Sequence, residues 1–222
     1  MKKKVAVILC GSGYLDGSEI REAVGTLWAL SQHSNVVDVQ CFAPDSAQAD
    51  VMNCLTSQPV KGETRNQLVE SARIARGKVA PLTQLNPREF DGVIMPGGFG
   101  AAKNLCNFAL AGSKGVVCAE LFAVLEPMYT AKKPIGAVCI APAILALAFK
   151  GEKLELTVGA DGEAAQEITK LGHRHVVCKP DACVVDKAHR IVTTPAYMYD
   201  NAPLHEIFTG IQKLTQEVVS LL

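Results

Sequence analysis

The chain has 222 residues, 49% of them hydrophobic and 5% aromatic, with 22 Lys and Arg balanced by 22 Asp and Glu. That balance leaves no global field to gather nucleic acid or an anionic membrane, and no stretch approaches the ~18 uninterrupted apolar residues of a transmembrane helix. The eight cysteines lie scattered in apolar segments behind no export signal, so they read as free thiols of a cytoplasmic protein.

Met1-Lys2-Lys3-Lys4 and the apolar Val5 to Leu9 fall short of the roughly 7–15 apolar residues of a signal segment. The run Val5 to Cys10 reads as a first strand, and Ser18 to Gln32 as a helix with apolar spacing through Ile20, Val24, Leu27, Trp28 and Leu30. Val36 to Phe42 is a second strand, stopped by Ala43-Pro44-Asp45 because proline offers no N–H to a ladder. Thr64 to Arg76 is a helix closed by Gly77, and Asp91 to Met95 is a third strand broken by Pro96-Gly97-Gly98. Val116 to Tyr129 has helical spacing, with Pro127 set to kink or shorten it. Ile135 to Val138 is a short buried strand, and Ala141 to Phe149, apolar nearly all round, is an interior helix. A strand at Leu154 to Val158, a helix from Gly162 to Leu171 and strands at His175 to Cys178 and Cys183 to Asp186 follow. Residues 182–194 carry two β-rich runs around a polar turn, a hairpin signal, and Pro203 opens a last helix with Ile207, Ile211, Leu214 and Val218 on one face. The repeated β-then-α order describes an α/β protein with a doubly wound, mostly parallel sheet. No linker divides it, so residues 1–222 form one domain.

In such a sheet ligands bind beyond the carboxyl ends of the strands, which directs attention to the segments that follow them. Cys139 follows the fourth strand with Ala137 and Ala141 two residues to either side, the small neighbours that a nucleophile on a tight strand-to-helix turn requires. A helix start there lowers a thiol pKa toward the reactive thiolate; a buried structural cysteine fits the same pattern. Gly97-Gly98 is either an ordinary turn or, with the Ile140 N–H, an oxyanion hole built from the backbone at Gly98 and Ile140. Glu19 stands just inside the first helix, placed there either by the dipole alone or to face Cys139 and shuttle a proton. Gly11, Gly13 and Gly17 follow G-x-G-x-x-x-G, one residue too long for a dinucleotide fingerprint. No C-x-x-C or H-E-x-x-H is present, and His173 and His175 share a strand face that Cys178 does not, so no metal site is expected. Lys103, Arg65 and Arg73 are cations of the kind that bind anions, and more ordinarily are solvated surface.

Seven blocks fall in order along nearly the whole chain: residues 11–20 (GSGYLDGSEI), 42–45 (FAPD), 63–66 (ETRN), 72–77 (ARIARG), 96–104 (PGGFGAAKN), 139–142 (CIAP) and 193–198 (TTPAYM). In these the chain resembles the ElbB family, named for enhancing lycopene biosynthesis, within the ThiJ/PfpI superfamily of class I glutamine amidotransferase-like folds. The resemblance implies a flavodoxin-like three-layer sandwich and a homodimer that needs no cofactor. It puts a nucleophilic cysteine at Cys139 with a carboxylate from the first loop, Glu19, beside it. Gly97, Lys103, Asn104, Cys10 and Thr194 are expected to line that site. The implied activity is that of a glutathione-independent glyoxalase turning glyoxal, a small dicarbonyl, into glycolate, an activity that also suits deglycation of early glycation adducts. The H-x-E that serves glutamine amidotransferases is missing, and Ile140 stands where many superfamily members have histidine. A thiol oxidised stepwise in a non-catalytic stress protein is the alternative, and an accessory role in isoprenoid synthesis rests on the family's name alone.

Overall fold

The computed structural model describes residues 1–222. In chain order they form β1 (Lys3–Ile8), α1 (Ile20–Ser31), β2 (Val37–Ala43), the short β3 (Met52–Asn53) and β4 (Gln58–Pro59), α2 (Gln67–Ile74), β5 (Val79–Pro81), β6 (Gly92–Met95) and α3 (Phe108–Ala111). Then come α4 (Ala119–Thr130), β7 (Ile135–Val138), α5 (Pro142–Ala148), β8 (Glu155–Leu156), α6 (Glu163–Lys170), β9 (Arg174–His175), β10 (Val184–Asp186), β11 (Ile191–Thr194) and α7 (Leu204–Ser220). Seven strands make the central sheet in the order β10-β11-β7-β6-β1-β2-β5. Every pairing in it is parallel except β10 with β11, the hairpin legible in residues 182–194. The fold is the α/β class expected, a mostly parallel sheet clothed by helices.

Val5 to Ile8, Val93 to Met95 and Ile135 to Val138 are buried along their whole length, because parallel strands covered on both faces have no solvent side to make polar. α1 packs on α7, and α7 in turn on β7 and β11, while α5 meets α4, α6 and β7.

Local capping trims the expected helices. Asn66 Oδ1 accepts the Val69 N–H at 3.0 Å, so α2 starts at Gln67 rather than Thr64. The strand expected over His175 to Cys178 is reduced to Arg174–His175. The third feature matters most for the site. α1 buries Glu22, Ala23, Gly25, Thr26, Ala29 and Leu30, while Ile20, Val24 and Trp28 of the apolar spacing stay exposed. The helix presents its small-residue face, with one glutamate on it, to the protein interior.

Candidate active site

The segments that leave β1, β6, β7 and β11 converge beyond the carboxyl ends of those strands. At the end of β7 the chain turns sharply through Cys139, whose φ is 62°, a left-handed conformation that costs a non-glycine residue roughly 1–2 kcal/mol. The turn is held on both sides: the Cys139 N–H donates to the Thr194 carbonyl at 2.9 Å, and Ala141 N–H donates to Val138 at 2.9 Å. Ala137 and Ala141 are fully buried, as the elbow pattern in the sequence requires, and Pro142 begins α5.

Glu22, rather than Glu19, is the carboxyl beside the thiol. Its Oε2 accepts the Gly97 N–H at 3.0 Å and its Oε1 accepts the Tyr197 N–H at 3.1 Å, and the Cys139 thiol lies close enough for the two groups to perturb each other's ionisation. Gly97 makes the meeting possible. A Cβ there would stand 2.4 Å from the Cys139 Cβ and 2.7 Å from Glu22 Oε2, far inside van der Waals contact. Glu19 instead takes the N-cap position of α1, its Oε2 accepting the Glu22 N–H at 2.6 Å. It satisfies one of the orphan donors of the first turn. The capping side chain folds onto its own helix, which is why it does not reach the elbow.

The electrostatics differ from the ionised thiol expected. Burial pushes the Glu22 carboxyl from the ordinary 4.5 up to about 8, with the nearby Glu19 adding to the rise and the Tyr197 N–H, the Cys139 thiol and the Gly97 N–H opposing it. Burial, then the Glu22 carboxyl, raises the Cys139 thiol well above its ordinary value, against the N–H groups of Gly98 and Ile140. The resting site therefore holds a protonated thiol beside a carboxyl whose pKa is pushed up to about 8. The two titrate as a pair. Gly98 and Ile140 N–H have no backbone acceptor and act to lower the thiol's pKa, so both donors are free beside the elbow. No imidazole is among the groups acting on Cys139.

The other residues singled out in the sequence are held by partners of their own. Cys10 is sealed, its N–H and Sγ both bonded to Ser18 Oγ and its thiol pushed up to about 12 by burial. Lys103 Nζ lies 2.7 Å from both Asp50 carboxylate oxygens. Asn104 ties three segments together, donating to Cys10 and Asp16 carbonyls and accepting the Ala49 N–H. Thr194 supports the elbow through its carbonyl and spends its hydroxyl on the Ala182 carbonyl. Arg65 and Arg73 pair with Glu63 and Glu70. His173 is bonded at both ring nitrogens, to the Leu154 N–H and the Ala146 carbonyl. Sequence reasoning missed Glu22 and the Tyr197 backbone. The signal for Glu22 was available: a lone glutamate in register with Ala23, Thr26, Ala29 and Leu30.

No protein-family model matches the chain. The human glutamine amidotransferase-like class 1 domain-containing protein 3, mitochondrial, is 43% identical over 227 residues, covering 98% of this chain and 83% of the human one. The rat ES1 protein homolog, mitochondrial, is 42% identical over 229 residues, covering 99% and 84%. The chain belongs to the ES1 family. Among solved structures, an Ehrlichia chaffeensis isoprenoid biosynthesis protein with an amidotransferase-like domain is similar at 40% identity and a TM-score of 0.90, with 99% of each chain covered. Drosophila melanogaster DJ-1β (20% identity, TM-score 0.54, 99% and 97% covered) and Candida albicans glyoxalase III (14%, 0.64, 99% and 97%) share the fold. This ES1-family chain thus has the DJ-1/ThiJ/PfpI, class I glutamine amidotransferase-like architecture. The cytoplasmic location expected from the sequence is overturned by the curated relatives, since the human and rat ES1-family proteins are both mitochondrial.

Proposed function

We propose that the chain is a glutathione-independent glyoxalase of the ElbB type, converting glyoxal to glycolate with Cys139 as nucleophile and Glu22 as acid and base. The observation that carries this reading is a single carboxyl, clamped by the Gly97 and Tyr197 N–H groups, set beside the thiol of a strained elbow. The fold is also one that bears the activity named in the Candida albicans glyoxalase III.

The chemistry follows from the geometry. Once the pair has lost one proton, ionised Glu22 takes the thiol proton as Cys139 Sγ bonds to one aldehyde carbon of glyoxal. The carbonyl electrons move onto oxygen, and the Gly98 and Ile140 N–H groups stabilise that charge. Proton return gives a neutral hemithioacetal. Glu22 then removes the hydrogen on the sulfur-bearing carbon, and the electron pair left behind forms an enediol with the second carbon. Reprotonation at that second carbon leaves a 2-hydroxy thioester. Water adds to the thioester, the C–S bond breaks, and glycolate leaves as the thiol is regenerated, so one glyoxal and one water give one glycolic acid. Deglycation of aldehyde adducts would use the same first steps, and we place the active form in a homodimer.

The test is direct: glycolate formed from glyoxal, followed by proton NMR without glutathione, by the wild-type chain and by Cys139→Ser. Turnover by the wild type and none by the variant supports the assignment; equal turnover refutes it. A glutaminase reading has no support in the site, which offers Cys139 no imidazole.

A further inference from the structure

Seven non-glycine residues have positive φ. Ser57, Arg76, Lys132 and Lys153 lie exposed and Arg190 half-buried, and positive φ at exposed turns is common. Only Cys139 and Ala196, with φ of 62° and 41°, are buried. An alanine gains nothing from this conformation, having no side chain to bond locally, and at ~1–2 kcal/mol the strain persists only where the surroundings enforce it. Both strained residues meet at Glu22. Cys139 brings the thiol to it, and the residue after Ala196 brings it the Tyr197 N–H at 3.1 Å.

The two turns are also joined directly, since the Cys139 N–H is bonded to the carbonyl of Thr194, two residues before Ala196. The segment between is Pro195, with φ of −73°, leading into the short helical turn Ala196–Met198. A right-handed alanine there would rotate the following peptide and turn its N–H away from Glu22 Oε1.

We propose that Ala196 is a positioning residue: its left-handed backbone aims the Tyr197 N–H at Glu22 Oε1, and with the Gly97 N–H this fixes the plane of the carboxyl. With both oxygens held by the backbone, the carboxyl cannot swing away from the thiol. The titratable groups around it are Cys139 on the elbow and Glu19 on its own helix, with Arg21 one residue away and bonded to the Tyr197 hydroxyl at 2.9 Å. The inference rests on Cys139 and Glu22 being the reactive pair, and its test is read without any turnover of glyoxal.

The measurement is the pH dependence of iodoacetamide alkylation at Cys139, followed on its own peptide by mass spectrometry because Cys54 is exposed and competes for label. Replacing Tyr197 by its α-hydroxy acid turns the amide into an ester and removes that N–H alone. The expected result is a midpoint raised by about one pH unit, with labelling near pH 7 slowed about tenfold, in a protein with unchanged circular dichroism. Ala196→Gly, which adopts positive φ freely, is expected to keep the wild-type midpoint. An ester variant with an unmoved midpoint overturns the proposal. So does a glycine variant shifted as far as the ester, since that would assign the effect to the alanine methyl rather than to the backbone. A moved midpoint in a chain without glyoxalase activity would leave the positioning role standing and remove only the substrate.

Discussion

Replacing Glu22 by glutamine should change the sign of its stability effect with pH. In the folded chain the carboxyl ionises near 8 and in the unfolded chain near 4.5, so between those values the native state binds the extra proton and stability falls as pH rises. The contribution is complete below 4.5 and lost as pH climbs through about 8. At about 1.4 kcal/mol per pH unit, the interval from 4.5 to about 8 is worth on the order of 5 kcal/mol. Glutamine does not titrate, but its amide nitrogen cannot accept a hydrogen bond. One of the two backbone donors, Gly97 or Tyr197, therefore loses its acceptor, at a cost of about 1–3 kcal/mol. The variant should be less stable than wild type near pH 4.5 and more stable above pH 8, the two curves crossing roughly near pH 6. Urea unfolding of both proteins at intervals from pH 4.5 to 9 measures this, and groups common to both cancel in the difference. Parallel curves would show that Glu22 does not titrate abnormally and would remove the basis for its role as acid and base.

Glu19→Gln alters a helix cap and removes a charge that adds to the rise of the Glu22 carboxyl, neither of which touches the reacting atoms, so it should cost about 1 kcal/mol or less of stability and leave glyoxal turnover within about threefold of wild type, an energy difference below ~1 kcal/mol; a loss comparable to that of Cys139→Ser would return the catalytic role to Glu19. Gly97→Ala inserts a methyl 2.4 Å from the Cys139 Cβ and should destabilise by about 1–3 kcal/mol or more and abolish activity, as thermal unfolding and the glycolate assay will show. Cys10, with its thiol pushed up to about 12 by burial, should remain unlabelled by iodoacetamide at pH 8 in the folded chain while exposed Cys54 labels rapidly; peptide mapping distinguishes them.

Much of the fold was legible because its signals are local. Runs such as Val5 to Leu9 and Ile135 to Val138 are apolar without alternation, and glycine or proline ends them. The elbow was legible for the same reason, since the requirement for small residues at 137 and 141 is written within five positions. Choosing between two glutamates three residues apart was not local. Glu19 sits at a helix start, where acidic residues gather for reasons of capping, and the exposed Ile20, Val24 and Trp28 draw attention to the wrong face of α1. Which face turns inward was decided by Gly25, Thr26 and Ala29, whose small side chains allow close approach, Gly25 lying against Ile211 and Phe208 of α7. The ionisation state depended on burial by distant segments, the Gly97 turn and the β11–α7 connection, which no short window of sequence contains. The same holds for Lys103, whose partner Asp50 lies between the second strand and the second helix, in a stretch to which the sequence assigns no element.

The central claim is that Glu22, and not its neighbour Glu19, works with Cys139. Single-turnover conversion of glyoxal to glycolate should be compared in Glu22→Gln and Glu19→Gln at pH 8, with folding of each confirmed by circular dichroism. Loss of a positioned acid–base group predicts a fall of roughly 10²–10⁴-fold in the first and near wild-type rates in the second. Full activity in Glu22→Gln, or loss confined to Glu19→Gln, would contradict the account.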